Sequence, residues 1–259
     1  EIVLTGIHTG GYGEDLENYS LAQLLWDLDK VDGLERVRVS SIEASQITEE
    51  VLEVLNGSRK MCRHLHIPLQ AGDDRVLERM RRKYNTAEYG EKIENIRKAM
   101  PDVAITTDVI VGFPGETEEM FRNGYRFIEQ MQFAEMHVFP YSKRTGTPAA
   151  RMPDQVDEEV KQSRVHELID LSERLQLKYA RRFVGDVLEV IPERTCKGAP
   201  DSGLLSGYSD NYLNIVFEGP KEWIGRMCKV KVTEAGVNEC KGRHVSVADQ
   251  ADAAGLQVG

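Results

Sequence analysis

The sequence predicts an α/β fold. A partial (β/α) barrel spans residues 1–150, a connecting helix spans 151–182, and a small all-β, OB-like barrel spans 183–249. Three observations predict it. Apolar, β-rich runs alternate with amphipathic stretches through the first 141 residues, which implies parallel strands joined by helical crossovers. A charged helical run, Asp157 to Arg182, follows. After it the texture changes to short strands with glycine punctuation, the pattern of a small closed sheet.

Taken in order, strands are expected at Ile2–Ile7, Arg36–Ile42, His64–Leu69, Ile105–Gly112 and Phe133–Tyr141. Between the first two, Ser20 with Gln23 three residues on starts a helix whose apolar face is Leu21, Leu24, Leu25 and Leu28. Further helices are expected at Thr48–Leu55, Asp74–Lys83, Thr86–Met100 and Thr117–Met131. In the second half the expected strands are Val184–Pro192, Leu204–Tyr208, Tyr212–Phe217, Met227–Val232 and His244–Val247. Turns are marked by Gly198, Gly203, Gly207, Gly219-Pro220, Gly236 and Gly242. The tail 250–259 is expected to fray.

Composition narrows the class. With 41% hydrophobic and 29% charged residues, the chain reads as globular and soluble. No apolar run approaches a membrane span, and no signal or targeting segment is read within the chain. Glu1 stands inside an expected strand, so the chain reads as a piece of a longer protein. The 33 basic and 43 acidic side chains give a net charge of −10. That excess lies in residues 1–180, with 23 basic against 32 acidic, whereas residues 181–249 hold ten of each. A nucleic-acid reader of this composition needs local basic patches. Cys62, Cys196, Cys228 and Cys240 form no CxxC spacing, and so few thiols suit a reducing, cytoplasmic setting.

Strands buried on both sides should be almost continuously apolar. These are not. A period of two sets His64, His66 and Gln70 opposite Leu65, Ile67 and Leu69, and Arg38 and Ser40 opposite Val37 and Val39. Asp108 shares a face with Ile110, and His137 and Tyr141 share one. The apolar faces must meet the helices, so the polar faces converge in the barrel interior, with a ligand at the C-terminal strand ends.

The segments Glu1–Gly13, Arg38–Ala44, His64–Gly72, Thr107–Thr117 and Phe139–Ala150, five strand ends in order, resemble the radical S-adenosylmethionine (SAM) methylthiotransferases. The forms GIHTGGYG and SSIEAS are most similar to the branch acting on N6-threonylcarbamoyladenosine in tRNA, and residues 183–249 to its RNA-binding TRAM domain. The resemblance implies a radical SAM barrel, here lacking its first β/α unit, that cleaves S-adenosylmethionine and puts a methylthio group on C2 of the modified adenine. It implies two [4Fe–4S] clusters in the whole protein. None of the four cysteines stands where the family places cluster ligands, so the piece alone is expected to be inactive. A cluster-free RNA-binding module with a vestigial barrel, or another methylthiotransferase branch, stays open.

For the cofactor, the resemblance points to Ser40, Ser41 and Glu43 near the ribose, with Gln70 and Asp108. It places the backbone of Val111, Gly112 and Phe113 at the adenine, and Arg144 as a carboxylate fork. For tRNA, the residues point to the run Arg75, Arg79, Arg81, Arg82 and Lys83, and in the small barrel to Arg226, Lys229, Lys231, Lys241 and Arg243 with Tyr208 and Tyr212. No membrane partner is expected.

Overall fold

The computed structural model describes residues 1–196 and 203–246, divided into two units, Glu1–Leu175 and Gln176–Gly259. The expectations for Gly198, Val247 and the tail lie outside the described residues. The unit boundary falls inside the long helix rather than at either end of a separate connecting segment.

In the first unit five parallel strands follow one another in chain order: β1 (Ile2–Leu4), β2 (Val37–Val39), β3 (His64–His66), β4 (Ala104–Val111) and β5 (Glu135–Pro140). Ladders join β1 to β2 and β3 to β4 to β5, while β2 meets β3 through the single bridges Val37–Met61 and Ser41–His66. The crossovers are α1 (Leu21–Asp29), α2 (Glu49–Gly57), α3 (Asp74–Arg79) with α4 (Thr86–Ala99), and α5 (Glu118–Met131). Each starts on a side chain suited to the orphan N–H groups of a first turn. Ser20, Thr48, Asp73, Asn85 and Thr117 accept from the backbone N–H of Gln23, Val51, Arg75, Glu88 and Met120. Leu65, Ile67, Leu69, Ile93 and Phe133 are wholly buried, so the face opposite the histidines is the core, as the alternation requires. At the end of β3, Gly72 lies against α5. A Cβ there would stand 2.7 Å from the Gly124 carbonyl, so only glycine at position 72 permits that approach.

The observed strands are shorter than the sequence suggests, for local reasons. β3 ends at His66 because Pro68 has no N–H to donate and Gln70 adopts a left-handed φ of 71°. β1 stops at Leu4, whose carbonyl accepts the last pairing bond from Ser40 N; Gly6 and the turn at Thr9–Gly11 follow. The long helix α6 runs Glu158–Arg181. Among the described residues no helix is long and apolar enough to cross a membrane.

The second unit closes five strands into a barrel. These are β6 (Val187–Thr195), β7 (Leu204–Ser209), β8 (Asn214–Glu218), β9 (Cys228–Glu234) and β10 (Cys240–His244), in the order β10-β8-β7-β6-β9. Pairings are antiparallel except β10 with β8. Val190, Leu205, Ile215, Phe217, Val230 and Val232 fill the interior. β6 tolerates Pro192 because a register shift, a bulge, falls there. The last strand lies earlier than the expected His244–Val247. Its inward residue is Cys240, and the bulge between Lys241 and Gly242 interrupts the alternation that would have marked it.

Candidate cofactor cleft and nucleic-acid face

Three β strands aim one polar set inward. β3 pairs with β4 so that His66 lies opposite Thr106, and β4 with β5 so that Asp108 lies opposite His137. Thr106 Oγ1 stands 2.9 Å from His66 Nδ1 and 3.0 Å from His64 Nε2, which fixes both rings. The second nitrogen of His66 is 3.2 Å from Asp108 Oδ2, and the His66 and His137 ring centroids are 5.8 Å apart. One donor atom each from His66, Asp108 and His137 lie within 4.8 Å of one another. Burial works to raise the Asp108 carboxyl, but the His66 hydrogen bond and the two imidazoles outweigh it, and its pKa falls below 3.8. The Asp108 carboxylate is therefore a fixed anion.

Asp108 opens onto a cleft of about 700 Å³ at the C-terminal strand ends. Gln70, Phe113 and Arg144 line it too, together with Arg79, Arg81 and Arg82 from the end of α3. Its apolar wall includes Ile110, Phe113 and Tyr141, the last two meeting edge to face at 5.3 Å. The cleft thus unites four of the nine expected cofactor residues with three of the expected RNA-binding ones. Ser40, Ser41 and Glu43 lie on the loop after β2, outside its lining, and the Glu43 backbone N–H is taken by Gln46 at 3.3 Å. Val111 and Gly112 are buried behind it. The Val111 carbonyl accepts from Tyr141 N, and Gly112 N donates to Glu116 Oε2 at 2.6 Å, so these backbone groups are engaged in the fold itself. Arg75 pairs with Asp73 and Glu119 instead of facing outward alone.

The second unit presents a different surface. Along β9, Cys228, Val230 and Val232 point in, and Lys229 and Lys231 point out. Arg243 sits directly opposite Lys231 on β10, a like-charge pair that opposes folding unless an anion is near. Lys229 faces Glu189 in register, and Lys241 is neutralised by Glu234 at 2.9 Å. Lys241 and Arg243 border a cleft of about 870 Å³ that also includes Arg194, Asn214 and His244. Tyr208 and Tyr212 stack on each other at 4.8 Å, which occupies one face of each ring.

Residues 3–128 match the model of the radical SAM superfamily and residues 181–244 that of the TRAM domain. The chain carries a radical SAM domain and a TRAM domain. It is 55% identical, over 96% of its length, to the threonylcarbamoyladenosine tRNA methylthiotransferase MtaB of Bacillus subtilis (strain 168). It is 40% identical over 93% and 95% of its length to the tRNA-2-methylthio-N(6)-dimethylallyladenosine synthases of Carboxydothermus hydrogenoformans and Thermoanaerobacter sp. (strain X514). The chain spans about half of these relatives, 55%, 55% and 52% respectively.

The first unit contains residues that sequence reasoning missed. Glu116 and Arg164 are both buried. Arg164 Nη1 donates to Glu116 Oε2 at 2.8 Å, and the same oxygen holds Gly112 N, which ties the loop after β4 to α6. Burial drives the Glu116 pKa up despite these donors. Glu116 was visible only as part of a loop motif, and nothing in the sequence pairs it with a residue 48 positions on. Gln70 was visible as a polar strand end, but not its left-handed backbone. Cys62 is in the radical SAM domain and the others in the TRAM domain, with Cys62, Cys228 and Cys240 buried and the last two raised in pKa by that burial.

The interior histidine gives a pH signature. Burial above all, then the nearby charges of Arg38, His66 and His137, holds the His64 pKa well below 6.5. The unfolded chain then binds a proton there that the native chain does not. Stability is complete above about pH 6.5 and falls as pH drops below it, by up to ~1.4 kcal/mol per unit. Asp108 acts in a separate window, since its depressed pKa contributes stability lost only as pH falls through 3.8 and below. Urea midpoints at pH 7, 6 and 5 should decline, and His64→Gln should flatten that decline. An equal decline in both proteins would exclude His64 as its source.

Proposed function

We propose that this chain is part of a cytoplasmic tRNA methylthiotransferase acting on C2 of N6-threonylcarbamoyladenosine. Its 55% identity to the Bacillus subtilis threonylcarbamoyladenosine enzyme supports the choice of branch, while the Thermotoga maritima one at 38% stands level with the dimethylallyladenosine enzymes at 40%. The cleft fits S-adenosylmethionine by its donor set. Asp108, anionic and recessed, would accept the ammonium of the methionyl end, and Arg144 would take its carboxylate. The apolar wall of Ile110 and Phe113 would lie along the adenine. Bound and reduced by an iron–sulfur cluster, this cofactor supplies radical chemistry. The cluster ligands, for two clusters in the whole protein, belong to residues other than the four thiols present here. The residues of this chain position the cofactor and exclude water.

tRNA would be held chiefly by the TRAM barrel through Lys229, Lys231 and Arg243, with Arg226 and Lys241 at the margin. Each phosphate contact releases counterions, so affinity should fall steeply with salt. The double variant Lys231→Gln/Arg243→Gln is expected to bind tRNA about tenfold more weakly, with the log–log salt slope shallower by about two. Removing a like-charge pair should not lower stability. Filter binding across a salt series measures both quantities. Unchanged affinity and slope would move the RNA interface elsewhere.

A further inference from the structure

We infer that Arg81 and Arg82 form a recognition site for the carboxylate of the threonylcarbamoyl group; this rests on the function proposed above and deepens it. The observation begins with the turn that ends α3. Arg81 N donates to the Glu78 carbonyl and Arg82 N to the Leu77 carbonyl, both at 2.9 Å, after the C-cap Met80. This is the Schellman arrangement, in which the residue at the Arg81 position takes a left-handed conformation and is usually glycine. Arg81 holds it with φ of 58°. A side chain with a Cβ pays about 1 kcal/mol or more there, and strain of that kind clusters where a side chain has work at a ligand.

The charges point the same way. In this acidic unit, Arg36 and Arg38 rest on Glu1, Arg75 on Asp73 and Glu119, Arg122 on Glu118 and Glu167, and Arg164 on Glu116. Arg81 and Arg82 line the cleft with no ion pair or side-chain hydrogen bond among the described residues. The Nε of Arg82 is buried without an acceptor, and so is the hydroxyl of Tyr141 on the same cleft. A buried donor without an acceptor costs free energy until a ligand supplies one. Adjacent unpaired guanidinium groups repel each other and favour an anion, which a carboxylate meets with paired hydrogen bonds.

The chemistry of the substrate selects which anion. A threonylcarbamoyl group ends in a carboxylate, whereas a dimethylallyl group is a hydrocarbon that would leave both guanidinium groups unpaired. Arg144 serves the cofactor carboxylate in the proposed reading, so Arg81 and Arg82 remain for a second one. The recessed Asp108 repels a carboxylate from the depth of the cleft and keeps it at the arginine rim. The pair therefore distinguishes an acid-bearing adenosine from an apolar one.

The test uses the 259-residue chain and three synthetic anticodon stem-loops. One carries threonylcarbamoyladenosine, one its methyl ester, and one dimethylallyladenosine. The wild-type chain should bind the acid about tenfold or more tighter than the ester, the scale of a lost charge-assisted contact. Arg81→Gly and Arg82→Gln should abolish that preference, bringing the affinity for the acid down to that for the ester. Arg81→Gly should also raise the melting temperature, since glycine relieves the left-handed turn, which separates recognition from misfolding. Equal binding of acid and ester by the wild type overturns the proposal. Loss of affinity for both in the variants assigns the arginines to RNA phosphate and overturns it. Weakened S-adenosylmethionine binding with the acid preference intact assigns them to the cofactor and overturns it as well. Failure of the underlying functional reading looks different: the wild-type chain then binds none of the three RNAs, or prefers the dimethylallyl one, and the proposal falls with it.

Discussion

Replacing Arg164 by methionine is expected to cost about 3–5 kcal/mol, because it strands a buried carboxylate that has no other cation among the described residues. Glu116 Oε2 holds Arg164 Nη1 and Gly112 N, and its residue is only 8% exposed. Burial already pushes its pKa upward, so without Arg164 the native state must take up a proton or pay the desolvation in full. The same arginine also donates to the Glu116 carbonyl and to Glu118, and lies over the Phe121 ring at 5.2 Å. The paired variant Arg164→Met/Glu116→Gln should recover much of the loss, since a neutral amide still accepts from Gly112 N. Urea denaturation of the two single variants and the double one gives the coupling directly. Equal losses that simply add would mean the two side chains do not interact. A functional effect should accompany the instability, because Gly112 begins the loop that places Phe113 on the cofactor cleft.

How much of this was legible beforehand depended on the range of the signal. Alternation of two gave the inward set His66, Gln70, Asp108 and His137, because each strand carries that information in its own residues. Helix starts at Ser20, Thr48 and Thr117 were readable for the same reason. The short strand ends were not, since they depend on Pro68, on the left-handed Gln70 and on how far each neighbour extends its ladder. The sequence also grouped Arg79, Arg81 and Arg82 with Lys83 as one basic run. The structure separates them: Arg79 donates to the Pro114 carbonyl at 2.8 Å, whereas Arg81 and Arg82 line the cleft with no side-chain partner among the described residues. A charge run has no directional content, whereas a helix cap does, and here the cap decides which residues turn inward. Pairings such as Arg164 with Glu116, or Glu1 with Arg36 and Arg38, are set by tertiary packing alone.

The other large effect is expected at Tyr89. Its ring is 1% exposed and lies within 6.4 Å, centroid to centroid, of Tyr84, Phe127 and Phe133. Its hydroxyl donates to the Ile67 carbonyl at 2.7 Å, and burial raises its pKa far enough that it stays a donor at any physiological pH. Thr107 Oγ1 donates to the same carbonyl and accepts from Leu69 N, both at 2.8 Å, while Tyr84 Oη reaches the Leu69 carbonyl at 2.9 Å. These side chains replace the ladder that β3 loses at Pro68, and they hold Ile67–Leu69 so that Gln70 reaches the cleft. Tyr89→Ala removes both the ring and the bond, for about 3–5 kcal/mol from the cavity and lost burial. Tyr89→Phe keeps the ring and should cost only about 1 kcal/mol, since Thr107 still serves the Ile67 carbonyl. The difference between the two variants, read from urea midpoints, separates packing from hydrogen bonding. If Tyr89→Phe proves as costly as Tyr89→Ala, the hydroxyl rather than the aromatic cluster fastens this segment, and the cleft wall rests on one hydrogen bond.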